Sequence, residues 1–536
     1  MTELLIPPSE PDSAVVEVAP GRSTVLDRRS VRSLGALALL AIALRIPNLG
    51  RAFWVDEGIS IGIASHPLSQ IPALLRLDGS PPLFYVILHL WLAMFGSSET
   101  STHLLALAGS LVVIPVAWWS ARTLFSERCA WCAAVLAATN PFLNWYATET
   151  RMYPLVCSLA IVAVTFSVRA SNRRSGRDAL WAACAFAALL YTHNWGFYLC
   201  AVTAVWLGAR AMVRRDWSQV TAIAAAGTGV AVAYLPWLPT FVAQASHTAA
   251  PWAVSPSPGD LISDPASILG GTLGSVVEPV MIVAVLLTWR LLPDDATATA
   301  RRIGAIGIAT IVLGWTAAQL EPSWASRYLA VGLGPLLIAV AGILGVTHAG
   351  RRVLSGIAIV LVGWGFIGAL LPDANARYAK SNVAAVSAAA RPFLAPGDLV
   401  IVTQTEQTAV AAHYLPPGLR YTTPSGPVAD PVVVDWRDLV PRLAAADVCA
   451  VLGPQVAAVP LGGRILVINP LRKVGSSGTR WSRTVNSDVV AVNRLLLADR
   501  GLQQTRTLAP AISPKPFSAV TGLIYTKTSS APVCPV

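Results

Sequence analysis

Apolar residues in this chain come in long blocks separated by short polar stretches, a pattern with neither the period of a surface helix nor that of a half-buried strand. The blocks fall at about 33–49, 103–120, 129–146, 154–169, 179–194, 195–212, 218–241, 271–290, 303–318, 327–347 and 352–371. Each approaches the roughly 20 residues that a helix needs to cross a bilayer, so about eleven transmembrane helices are predicted. A further run at 82–98, PLFYVILHLWLAMFGSS, is of similar length. Parity decides its placement. With the N-terminus inside and 82–98 lying in the membrane surface, the arginine clusters at 122–128, 169–177, 210–215, 301–302 and 351–352 all face the cytoplasm, as positive-inside bias requires. If 82–98 spans as well, every cluster moves outside. It is therefore predicted to be an interfacial helix, with Trp91 and Phe95 suited to that layer.

After Leu371 the pattern changes. Residues 372–536 alternate short strand-like segments (398–403, 447–452, 464–468, 523–526) with helix-like ones (383–394, 439–446, 489–499), which predicts an α/β domain on the external face. At the other end, residues 1–32 are rich in Pro, Ser and Glu and then basic, and read as a disordered cytoplasmic tail. The chain thus divides into a tail (1–32), a helical membrane domain (33–371) and an extracytoplasmic α/β domain (372–536).

Composition supports a multi-pass plasma-membrane protein: 54% of residues are hydrophobic and 12% charged. The net charge of +11 would suit nucleic acid, but its confinement to loops between apolar blocks makes it a topology signal, and no nucleic-acid partner is expected. Most cysteines lie in apolar blocks, where a thiol behaves as a small hydrophobe. Cys449 and Cys534 lie in the external domain and could pair there.

Polar residues worth notice gather at one membrane border. The first external loop, 50–102, begins WVDEG and continues to DGSPPLFY, placing Asp56, Glu57 and Asp78 just beyond the first span. Loop 146–153 adds Glu149, Arg151 and Tyr153, loop 319–326 leads through Glu321 to Arg327 and Tyr328, and the YTHNWG turn adds His193. Each has a plain structural role open to it: carboxylates favour helix N-termini, arginines snorkel, and a lone histidine often packs in a turn. Convergence on one face suits a substrate with an anionic head and a lipid tail. Arginine grips phosphate in a bidentate fork, and a nearby carboxylate can take a proton from an acceptor hydroxyl.

The ordered set DEG, DGSPPLFYVILHLW, RMYPL, LLYTHNWG and SRYL resembles the GT-C superfamily of integral-membrane glycosyltransferases, in the branch with protein O-mannosyltransferases, the aminoarabinose transferase of lipid A and RgtA/B/C/D-like enzymes. The resemblance implies a polyprenyl-phosphate-linked sugar donor, with mannose a candidate sugar, and an envelope glycan, lipid or protein acceptor. Asp56 matches the catalytic base, with Glu57 beside it. Asp78, Glu149, Arg151, Tyr153, His193, Arg327 and Tyr328 match donor-phosphate or substrate positions, and Asp56 and Glu149 are candidates for a divalent cation. Relatives commonly carry His before the Pro-Pro pair, where this chain has Ser80. A lipid transporter and a non-catalytic envelope scaffold are the alternative readings.

Overall fold

The computed structural model describes residues 27–248, 250–292, 294–370, 380–471, 478–509 and 518–530; the expected tail lies almost wholly outside them. The membrane domain consists of α1 (Arg28–Arg45), α2 (Val55–Ala64), α3 (Ile71–Asp78), α4 (Leu83–Phe95), α5 (Glu99–Leu124), α6 (Glu127–Thr139), α7 (Pro141–Tyr146), α8 (Tyr153–Arg173) and α9 (Gly176–Leu190). It continues with α10 (Gly196–Val213), α11 (Trp217–Tyr234), α12 (Leu238–His247), α13 (Asp260–Gly270), α14 (Gly274–Leu291), α15 (Asp294–Leu320), α16 (Ala330–Leu344) and α17 (His348–Leu370). Short polar residues start these helices where the chain turns at the membrane border: the side chains of Asp27, Ser98, Ser126, Ser175 and Asp216 each accept a backbone N–H in the first turn.

Among the described residues eight helices are long and apolar enough to cross a membrane, or ten when two bent pairs are each counted as one. Two of the eleven expected blocks give helices below that length, and the reason is local. Block 129–146 is interrupted where Asn140 accepts the Leu143 N–H and Pro141 starts a new helix, leaving a 13-residue α6. Block 179–194 yields a 15-residue α9, stopped by the turn before Trp195. The run at 82–98 forms only the 13-residue α4, well short of a span.

The C-terminal unit contains α18 (Val383–Ala390), β1 (Leu399–Val402), α19 (Thr408–Tyr414), β2 (Arg420–Thr423), β3 (Gly426–Val428), α20 (Leu439–Ala445), α21 (Val448–Ala457), β4 (Arg464–Pro470), α22 (Arg480–Ala498), β5 (Leu502–Leu508) and β6 (Val520–Lys527). The sheet runs β3-β2-β1-β4-β6-β5, with β1 parallel to both neighbours and the β4–β6, β5–β6 and β2–β3 pairs antiparallel. Both faces of β1 are covered: Val400 and Val402 pack with α18 and α19, Leu399 and Ile401 with α21 and α22. One expected strand, 447–452, is instead the start of α21, because the Asp447 carboxylate accepts the amides of Cys449 and Ala450 and opens a helix there.

This domain rests on the loop 50–102. Phe53 and Ile61 are part of its core, and the Tyr414 hydroxyl accepts the Phe53 N–H at 2.8 Å while donating to Glu99 at 2.7 Å. Two glycines of α2 allow the contact. A Cβ on Gly58 would lie 2.8 Å from the Val410 backbone, and one on Gly62 would lie 2.0 Å from the Val432 carbonyl oxygen.

Candidate active site

The site is built on the N-terminus of α2, where Asp56 and Glu57 occupy the first turn. Carboxylates are favoured there by the unpaired N–H groups and the helix dipole, but the two point different ways, since adjacent residues on a helix face directions about 100° apart. Glu57 turns inward and is 3% exposed. One oxygen accepts from His103 Nε2 and the Thr150 amide, each at 2.7 Å, and the other accepts the Trp54 amide at 3.4 Å. Burial opposes its ionisation, yet His103, Lys380 and the Thr150 amide together hold its carboxyl below the usual range. Glu57 is therefore a brace that ties α2 to α5 and to loop 147–152, and it does not face the cleft.

Asp56 turns outward. Its carboxylate lies 3.8 Å from the Arg327 guanidinium, and both side chains keep about a fifth of their surface exposed (19% and 21%). Arg151 is pinned across the same turn, donating to Ser60 Oγ at 2.8 Å and to the Asp56 carbonyl at 3.5 Å. Arg327 lies over the Trp252 and Tyr328 rings, 4.8 and 5.3 Å from their centroids. Nε of both Arg151 and Arg327 is buried with no hydrogen-bond partner among the described residues.

Asp78 closes α3 beside this pair and accepts from the Tyr85 hydroxyl at 3.2 Å. Burial raises its carboxyl pKa, and the neighbouring Asp56 carboxylate adds to the effect. Its position depends on Gly79, whose φ of 96° is one that a side chain disfavours. The YTHNWG turn docks on the same corner: Asn194 donates to the Gly79 carbonyl and the Leu83 amide donates to the Tyr191 carbonyl.

His193, Tyr153 and Tyr328 form the aromatic wall behind the charges. His193 is 5.0 Å from Tyr328 and 6.0 Å from Tyr153, ring centre to ring centre. Its Nδ1 accepts the Trp195 amide, and burial, reinforced by Arg151 and Arg327, pulls its pKa down to about 3. It is thus a neutral ring in this wall. Glu149 is 1% exposed, accepts Trp54 Nε1 at 3.2 Å, and forms an ion pair with Lys380. Glu321 is exposed.

Two contributors come from beyond the membrane domain, and sequence reading missed both. Lys380 enters from the C-terminal unit; its only signal was being a rare lysine in an arginine-rich chain. Glu406, in the loop after β1, is 4% exposed with one carboxylate oxygen lacking a partner. Burial lifts its pKa to about 7, with a smaller push from Asp56. A cavity of about 260 Å³ between α8, α9, α10 and α11 involves none of these residues.

Residues 79–239 match the family described as dolichyl-phosphate-mannose-protein mannosyltransferase. The chain superposes on ArnT from Cupriavidus metallidurans in its apo state with a TM-score of 0.60 and 14% identity, covering 94% of this chain and 99% of that one. The chain has the GT-C fold. The structure of the same ArnT bound to undecaprenyl phosphate gives a TM-score of 0.59 at 15% identity, with the same coverage. No curated protein matches the sequence itself.

A divalent cation held by Asp56 and Glu149 does not fit this version of the GT-C fold. Among the described residues no three His, Cys, Asp or Glu side chains converge. Both Glu149 oxygens are engaged, by Trp54 and Lys380, and Asp56 faces Arg327.

Proposed function

We propose that the chain is an inverting glycosyltransferase that moves one sugar from a polyprenyl-phosphate-sugar donor to a hydroxyl of an envelope glycan, lipid or protein, on the external face of the membrane. The observation that carries the reading is the Asp56 carboxylate, partly exposed at a membrane border and loosely paired with an arginine.

The chemistry follows from that pair. An incoming donor phosphate competes for Arg327, whose fork matches two phosphate oxygens better than a carboxylate 3.8 Å away. Asp56 is thereby released to accept the acceptor hydroxyl proton. The acceptor oxygen bonds to the anomeric carbon as the bond from that carbon to phosphate oxygen breaks, and the polyprenyl phosphate leaves with the electron pair. Arg327 and Arg151 stabilise the developing charge. A single displacement inverts the anomeric centre.

Mannose is the first donor sugar to test, because the matched family is described by dolichyl-phosphate-mannose. External placement is supported by the arginine clusters, which parity puts inside, and by the disulfide-bonded state of Cys449 in the C-terminal unit, which suits an oxidising compartment. Cys534, the partner that the sequence offers, lies outside the described residues.

Reconstitution in liposomes with a panel of polyprenyl-phosphate sugars tests the reading. Transfer to a hydroxyl acceptor is expected, with Asp56→Asn slower by about 10²–10⁴-fold. Wild-type turnover in that variant removes Asp56 as the base.

A further inference from the structure

We propose that Lys380 is a built-in cation: its ammonium group takes the position beside Glu149 where a divalent metal would otherwise balance the acidic site, so the protein works without a metal. The inference rests on the catalytic reading above, and on three independent features of the geometry.

The first is the pairing. Glu149 comes from the loop before α8 and Lys380 from the far side of the membrane domain in sequence, yet their side chains meet in an ion pair that is almost wholly buried at the carboxylate end. The second is the seat. Lys380 Nζ lies 4.7 Å from the ring centroids of both Trp54 and Trp145 and 5.5 Å from that of Tyr146. Burial in this seat pulls the Lys380 pKa down to about 7, against the pull of Glu57 and Asp56; the aromatic faces favour the cation through their quadrupoles and exclude the water that a hydrated metal would bring. Trp54 also donates its indole N–H to the other Glu149 oxygen, so the same ring fixes acid and cation together.

The third feature is charge. Asp56 and Asp78 lie on the side that must also admit an anionic phosphate, with Glu57 and Glu149 buried behind them. His103 serves Glu57, while Arg151 and Arg327 flank Asp56. Glu149 is compensated by Lys380. A lysine ammonium is a compact point charge with three donors, the closest side-chain equivalent of a small metal ion. Lys380 does not contact the reacting atoms in this geometry; it is a positioning residue that acts through Glu149 and Trp54.

Two measurements on the full-length protein test this. In the first, Mn²⁺ binding is followed by electron paramagnetic resonance on purified wild type and Glu149→Gln, and no binding that depends on Glu149 is expected. One equivalent of Mn²⁺ bound by wild type and lost in Glu149→Gln overturns the proposal. In the second, the reconstituted protein is assayed after treatment with EDTA. Wild type is expected to keep its turnover, Lys380→Met to lose at least about tenfold, and Lys380→Arg to recover most of that loss, because the charge returns. Turnover lost in EDTA and restored by Mg²⁺ or Mn²⁺, or wild-type turnover in Lys380→Met, overturns it. If Lys380→Met fails to fold, the EDTA result and Lys380→Arg still decide. If no sugar transfer is found at all, the catalytic reading fails, and the Mn²⁺ measurement alone decides the role of Lys380.

Discussion

Asp56 and Glu57 are neighbours with opposite duties, and the difference is one of direction around a helix. Glu57, with its carboxyl held below the ordinary range, contributes stability that is present above its unfolded pKa and is lost as pH falls through the folded value. Replacing it with Gln leaves His103 buried beside a neutral group, which costs on the order of 3–5 kcal/mol. The expected result is a large drop in melting temperature for Glu57→Gln at pH 7 that shrinks as the wild type is acidified below pH 4.5, the ordinary glutamate value, whereas Asp56→Asn melts close to wild type. Equal melting of the two variants would assign both residues the same role. Sequence could pick out both acids, because carboxylates at a membrane border are conspicuous, but it could not separate them. What separates them is the reach of His103 and Thr150 from elsewhere in the chain. The same limit hid Lys380, whose partner Glu149 lies more than two hundred positions away.

At the scale of elements, what sequence reveals tracks how self-contained each one is. Long apolar helices such as α5, α8 and α16 announce themselves because lipid sets their length and composition. Blocks ending in a capping residue were harder: Asn140 with Pro141 divides one block, and Asp447 turns an apolar stretch that resembles a strand into α21. Nothing in the pattern marked α2 as a platform for another domain, since Gly58 and Gly62 read as ordinary small residues in an apolar helix. They are the contact. A methyl on Gly62 would meet the Val432 carbonyl at 2.0 Å, with backbone as the obstacle, so the helix and the segment must part. Gly62→Ala is expected to destabilise the protein by about 1–3 kcal/mol and to make the C-terminal unit cleave faster in limited proteolysis. Gly35, with open space around its Cβ position, is the control: Gly35→Ala should leave both readouts unchanged.

On the scale of the molecule, the α/β unit, the loop 50–102 and the cluster of acids and arginines share one side, because Tyr414, Gly58 and Lys380 bind them directly to one another. The arginine clusters at 173–177 and 210–215 lie at the opposite ends of α8 to α11 from the site, where Arg174 pairs with Asp216. The geometry therefore reduces topology to one binary question: which side of the bilayer carries the cluster. Donor chemistry and the Cys449 disulfide both call for the outside. Single cysteines replacing exposed Arg500 and exposed Arg215, in a background where the free thiols are changed to Ser or Ala, answer it in intact cells with a membrane-impermeant maleimide. Labelling of the cysteine at 500 alone is expected, and both should label once the membrane is permeabilised. Labelling of the cysteine at 215 alone would turn the molecule over and put the site in the cytoplasm. The arginine bias would then have to be read as something other than topology. A donor displayed on the outer leaflet could no longer reach Asp56, and the proposed transfer would need a carrier presented from within.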